Sequence, residues 1–214
     1  MHDRFITFEG GEGVGKTTLL NSLAIRLESD GHTVCRTREP GGTPVAEALR
    51  GVLLDPDRSD SDISPMTEAL ILAAARRNHV EQKIRPSLEA GHWVLCDRFI
   101  DSTRAYQGPR ISSENLILIE DLATDAVRPH VTFLLDADPV DLIERRKARG
   151  ETTDRFERRP MSYHHGVREA FLLLAKQFPE RIQILNALNT PDELEKSAYE
   201  ILKNHYADTL EANT

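Results

Sequence analysis

Phe5-Ile6-Thr7-Phe8-Glu9-Gly10-Gly11-Glu12-Gly13-Val14-Gly15-Lys16-Thr17-Thr18 decides the architecture of this chain. Five residues that read as a strand run straight into a glycine-rich turn. Leu19, Leu20, Leu23, Ala24 and Leu27 then follow at the three- and four-residue spacing of an amphipathic helix. Gly10-x-x-x-x-Gly15-Lys16-Thr17 fills the phosphate-loop pattern, in the strand-to-helix setting where that motif has physical meaning. Glycines let successive backbone N–H groups turn toward phosphate oxygens, and the helix dipole adds positive potential at the same place. Gly10, Gly11, Glu12, Gly13, Val14, Gly15, Lys16, Thr17 and Thr18 are therefore expected to cradle a nucleoside triphosphate. Lys16 supplies a point charge to the outer phosphates, and the Thr17 hydroxyl is a hard oxygen suited to Mg²⁺.

Outward from this loop, short apolar segments at 33–37, 92–96, 131–135 and 181–185 read as further strands. Helical patterns cover 44–54, 64–90, 112–127 and 163–178, and further helices open at 138 and 190. Ser64-Pro65, Asp138-Pro139 and Thr190-Pro191 each place a capping residue before a proline at the first helical position. Strands alternate with helices and look apolar on both faces, which predicts an α/β fold with a parallel sheet covered on both sides. No repeat or linker divides the 214 residues, so one domain over 1–214 is expected.

Composition narrows the partners. With 27 Lys+Arg against 35 Asp+Glu the net charge is −8, which argues against a protein that binds nucleic acid by neutralising many phosphates. The longest apolar run, 69–75, is far too short to span a bilayer, so no membrane association is expected. Cys35 and Cys96 lie in different apolar strands without metal-ligand spacing, and the start of the chain has no signal-peptide pattern; a cytoplasmic setting is expected. Cys35, Cys96 and Trp93 read as core, Glu9 as a structural hydrogen-bonding group, and His164-His165 as an exposed helix face.

Three features bear on the chemistry. No Asn-Lys-x-Asp guanine-reading sequence is present, which disfavours a GTPase switch. Residues 144–159 hold seven basic residues against four acidic ones, a local +3 that suits a segment closing over a transferring phosphoryl group. Arg38-Glu39-Pro40-Gly41-Gly42-Thr43 and Asp97-Arg98-Phe99 follow the second and third strands, at the sheet end where ligands gather in open parallel sheets. Asp97 ends its strand as a metal-binding aspartate would and could hold Mg²⁺ directly or through water, the alternative being a pair with an arginine.

At this point the sequence resembles the thymidylate kinases. The phosphate loop, Arg-Glu-Pro-Gly-Gly-Thr from 38, Asp-Arg-Phe from 97, Ser102-Thr103-x-Ala105-Tyr106-Gln107-Gly108 and Asp154-Arg155-Phe156-Glu157 occur in that family's order. The resemblance implies a P-loop nucleoside monophosphate kinase fold of five parallel strands with an arginine-rich lid at about 145–159, and a homodimer. It implies transfer of the γ-phosphate of ATP to dTMP with Mg²⁺. Carried residue by residue, Lys16, Arg98 and Arg149 resemble the catalytic set, and Arg38, Arg76 and Arg98 the holders of the acceptor phosphate. Glu12 resembles the carboxylate near the sugar 3′-hydroxyl, Tyr106 the aromatic that crowds the 2′ position, and Thr103 and Gln107 the contacts to the thymine edge. Leu72 stands where the family stacks a phenylalanine on the base. A kinase of another pyrimidine nucleotide or nucleoside, and a P-loop ATPase switch, are the alternatives.

Overall fold

The first strand, β1 (Phe5–Glu9), is buried along its whole length, because it is flanked on both edges and covered on both faces. It pairs in parallel with β3 (Trp93–Asp97) on one side and β4 (Val131–Asp136) on the other. β2 (Val34–Arg38) adds outside β3 and β5 (Ile182–Asn186) outside β4, giving the order β2-β3-β1-β4-β5. The computed structural model describes residues 4–55, 57, 63–142, 156 and 158–206. Apolar burial on both faces holds for the three central strands but not for the edges. β2 and β5 alternate buried and exposed residues, since an edge strand has one flank open.

Helices α1 (Lys16–Ser29), α2 (Pro44–Leu54) and α3 (Pro65–His79) follow the predicted pattern. Thr43 and Ser64 cap α2 and α3 by accepting the backbone N–H of Ala46 and Thr67, as their sequence positions before proline require. The long helix expected over 64–90 is interrupted by a π turn, Val80–Ile84, before α4 (Arg85–Glu89). Pro86 has no N–H to offer the carbonyl four residues back. The helix widens there, and the Arg85 N–H bonds Val80 O instead.

One element was absent from the sequence reading: α5 (Ile100–Tyr106), a short helix directly after Asp97-Arg98-Phe99. Phe99 gives it no side-chain cap, so its first turn is held by Glu9, a residue 90 positions away. α6 (Ser113–Thr124), α7 (Met161–Gln177) and α8 (Pro191–His205) complete the layers, with a helical turn at 139–142 after β4. Leu19, Leu23 and Leu27 of α1 pack with Phe8, Trp93 and Phe133 of the sheet, and this core fixes where the β1–α1 loop emerges.

Candidate active site

Gly10 is the pivot of that loop. Its φ of 130° suits glycine, and a Cβ there would collide with the Leu135 carbonyl of the neighbouring strand. Val14 is buried in the core and pins the loop from within, which leaves the backbone amides facing outward. Lys16 is only 7% exposed, and its Nζ donates to Gly11 O at 2.7 Å and Gly10 O at 3.3 Å. Burial and the nearby Arg98 lower its pKa against the pull of Glu12 and Asp97. Thr17 Oγ1 donates to Asp97 Oδ2 at 2.6 Å, so the two predicted metal residues meet across the loop and the end of β3. A hydroxyl and a carboxylate are the hard oxygens Mg²⁺ prefers, with its other positions left to water and phosphate. No group of three or more His, Cys, Asp or Glu side chains able to hold a metal exists among the described residues.

Beside the loop lies a cavity lined by Glu12, Leu72, Arg76, Arg98, Thr103, Tyr106 and Gln107. Seven of the eight residues proposed for the acceptor are therefore brought together. The eighth is not: Arg38 turns outward, 56% exposed, and donates to Glu47 at 3.0 and 3.1 Å. Arg38 ends an edge strand in which Thr37 points inward, so pleating directs Arg38 to the other side. The cavity wall instead includes Arg50, Leu53 and Leu54 of α2, together with Glu39, Pro40 and Phe156. Arg50, Leu53 and Leu54 share a helix face at three- and four-residue spacing, a signal the sequence contained but one that named no ligand.

Arg76 shows how the arginines differ. It is 2% exposed; its Nε donates to Glu39 Oε2 at 2.7 Å, and its Nη2 to Phe99 O at 3.0 Å and Thr103 Oγ1 at 3.1 Å. Nη1 is buried without a hydrogen-bond partner among the described residues. His79 braces the other side of Glu39, with Nδ1 3.1 Å from Glu39 Oε1 and Nε2 2.7 Å from Thr37 Oγ1. Gly42 packs against this pair with φ 86°, and a Cβ would strike both His79 and Thr37, which explains the second glycine of Pro40-Gly41-Gly42.

Arg98 sits at φ 69°, a left-handed conformation that costs a non-glycine residue of order 1–3 kcal/mol. Its N–H donates to Phe8 O, and its guanidinium to Gly10 O, Ser102 Oγ and Glu12 Oε1, so the surrounding contacts hold the turn. The Tyr106 ring lies 5.2 Å from the Arg98 guanidinium, and its hydroxyl donates to Glu12 Oε1 at 3.3 Å. Burial alone would raise the Glu12 pKa, but Arg98 and Lys16 outweigh it and bring it down to about 2. Glu9 goes the other way. Burial and Asp101 push it up to about 7 while its oxygens accept from Phe99 N, Ser102 N and Ser102 Oγ. That is the structural role expected for Glu9.

The Glu12 shift has a measurable sign. Its folded pKa lies below the ordinary 4.5, so the stabilisation is complete above about pH 4.5 and lost as pH falls through about 2. Glu12→Gln is expected to lose of order 2–3 kcal/mol at neutral pH. Denaturant midpoints of the two proteins should converge between pH 4.5 and 2; a pH-independent gap would assign the loss to packing.

His164 departs from expectation. It is half-buried and lines a second, smaller cavity behind the loop with Gly10, Gly11 and Glu12, because the first turn of α7 leans on the loop. Thr18 is exposed at the start of α1, and Arg149 with most of the basic segment lies outside the described residues.

A phosphate cradle at the end of β1 and a partly open cavity beside it, on a parallel sheet of order 2-3-1-4-5, define a P-loop enzyme of the nucleotide-kinase class. Residues 8–198 match the family model described as thymidylate kinase. The chain is 43% identical to a thymidylate kinase of Bartonella henselae over 98% of its length and all of the relative's. It is 45% identical to that of Symbiobacterium thermophilum, over 90% of this chain and 89% of that one. A crystal structure of thymidylate kinase from Ehrlichia chaffeensis superposes with a TM-score of 0.74 at 33% identity, covering 92% of this chain and 97% of the other. The chain belongs to the thymidylate kinase family.

Proposed function

We infer that this loop and cavity carry out the reaction ATP + dTMP → ADP + dTDP, with the residues in the following roles. The ATP triphosphate lies in the loop, where Lys16 exchanges its present carbonyl acceptors for phosphate oxygens. The dTMP phosphate lies at Arg76 and Arg98, and its base runs along Leu72 toward Thr103 and Gln107. An oxygen of the acceptor phosphate attacks the γ-phosphorus in line, and ADP leaves. Thr17 and Asp97 would hold Mg²⁺, which would supply charge neutralisation for the transferring phosphoryl group.

The observation that carries this reading is that two cavity-lining residues each hold a buried side-chain atom without a partner among the described residues: the donor Arg76 Nη1 and the acceptor Gln107 Oε1. Buried polar groups are nearly always paired, so both await a ligand with an anionic oxygen and an N–H. Glu68, Leu72 and Arg76 sit four residues apart on one face of α3, so this wall runs ~12 Å from the base end to the phosphate end.

A screen of nucleoside monophosphates as acceptors tests the reading. ADP release is expected to be very slow until dTMP is added; release independent of any acceptor would favour an ATPase switch, and preference for a nucleoside a different kinase. Leu72 gives the base an apolar wall without a π face. Leu72→Phe should therefore tighten dTMP binding roughly two- to twelve-fold with the ATP dependence unchanged, by titration of each nucleotide. Identical dTMP affinities in the folded variant would take Leu72 out of the base contact.

The working unit is a homodimer. Leu70 of α3 and Ile117, Leu118 and Leu122 of α6 are 52–65% exposed on two helices that pack side by side, an apolar surface suited to a second copy. Among the described residues no helix is long and apolar enough to cross a membrane, and the enzyme's proposed setting is the cytoplasm.

A further inference from the structure

Glu68 is a charged side chain with no exposed surface, and no step of phosphoryl transfer uses it. Its Oε1 accepts from Arg159 Nη2 at 3.2 Å, and its Oε2 from Arg110 Nη2 at 3.4 Å. Two guanidinium partners already suit the buried charge. Oε2 nonetheless also faces the Gln107 amide, accepting from Nε2 at 3.2 Å.

An amide can present either end, but an ionised carboxylate accepts only. Gln107 must therefore turn its NH₂ toward Glu68, which sends Oε1 the other way. That oxygen is buried and without a partner among the described residues, on a side chain that lines the cavity. We propose that Glu68 is a positioning residue: by fixing the Gln107 amide it keeps an acceptor facing the base, and so sets the preference for a pyrimidine with a protonated N3 over one with a bare N3. This rests on the reading that the base end of the acceptor lies at Gln107. Thymine offers N3–H to Oε1, whereas cytosine would set a lone pair against it and leave both groups unmatched. Glu68 works through Gln107, so its loss acts on base choice and spares transfer.

The test compares kcat/KM for dTMP and dCMP in the intact enzyme. Glu68→Gln keeps the shape but offers both donor and acceptor, freeing the amide to turn. The dTMP:dCMP ratio should fall about ten- to a hundred-fold, chiefly through KM, with kcat for dTMP nearly kept. Glu68→Asp retains the charge for Arg110 and Arg159 but withdraws the carboxylate from Gln107, and should lower the ratio in the same direction even if Glu68→Gln folds poorly. Arg110→Met removes a charge partner without altering what Gln107 faces, and should leave the ratio unchanged. A wild-type enzyme without preference for dTMP would overturn the base-end reading itself. A preferring wild type whose ratio survives in both Glu68 variants would overturn the positioning role alone.

Discussion

Lys16→Ala is expected to lower phosphoryl transfer on the order of 10³-fold or more while the fold survives. The lysine bonds two loop carbonyls, but the loop's path is fixed by other contacts. Gly10 fits against Leu135, and Val14 is buried in the core, so the backbone curl persists without the Lys16 side chain. What disappears is a buried cation that, among the described residues, bonds the loop carbonyls Gly10 O and Gly11 O, acceptors it can exchange for phosphate. Water cannot take its place, because a solvated dipole does not follow charge onto the γ-phosphate as a fixed ammonium does. Single-turnover transfer from ATP to dTMP, beside a thermal melt, measures both halves. Near-normal turnover would remove the phosphate-loop role from this lysine.

The second large effect is expected at Arg149, where alanine should lower kcat ~10³-fold and leave both nucleotide KM values within a few-fold. Arg98 beside the loop, and Arg36 and Arg38 on the edge strand, already have partners. Arg98 donates to Glu12 and Gly10 O, Arg38 to Glu47, and Arg36 to Glu28. In the proposed mechanism an additional charge for the transition state comes from the basic segment, as the resemblance to the family implies. Loss confined to kcat supports Arg149 in that role. Equal losses at Arg145, Arg149 and Arg155 would indicate a diffuse field, and no loss at Arg149 would move the role to one of the other two.

The order of strands and helices was legible because it is written in local periods and caps. Burial on both sides makes β1, β3 and β4 continuous apolar runs, and Thr43, Ser64 and Thr190 announce their helices by bonding amides three residues on. The phosphate loop is equally local: its glycines, lysine and threonine are set by backbone geometry within nine residues. α5 was missed because its first turn is held by Glu9, whose position beside it exists only once β1 and β3 are paired.

By itself, then, the sequence determined the elements other than α5 and the π turn, the cradle and the family-specific residues that gather at one end of the sheet. Only the tertiary structure decided which of those side chains face the cavity. Arg38 and Arg76 are the same residue type, yet one ends 56% exposed on Glu47 and the other 2% exposed on Glu39. Pleat direction and the packing of α3 on β2 and α5 make that difference. The pairing of Glu68 with Gln107 spans 39 positions, and so does the choice of which amide face meets the base. A side chain's direction depends on what packs against it, and no local pattern of residue types contains that information.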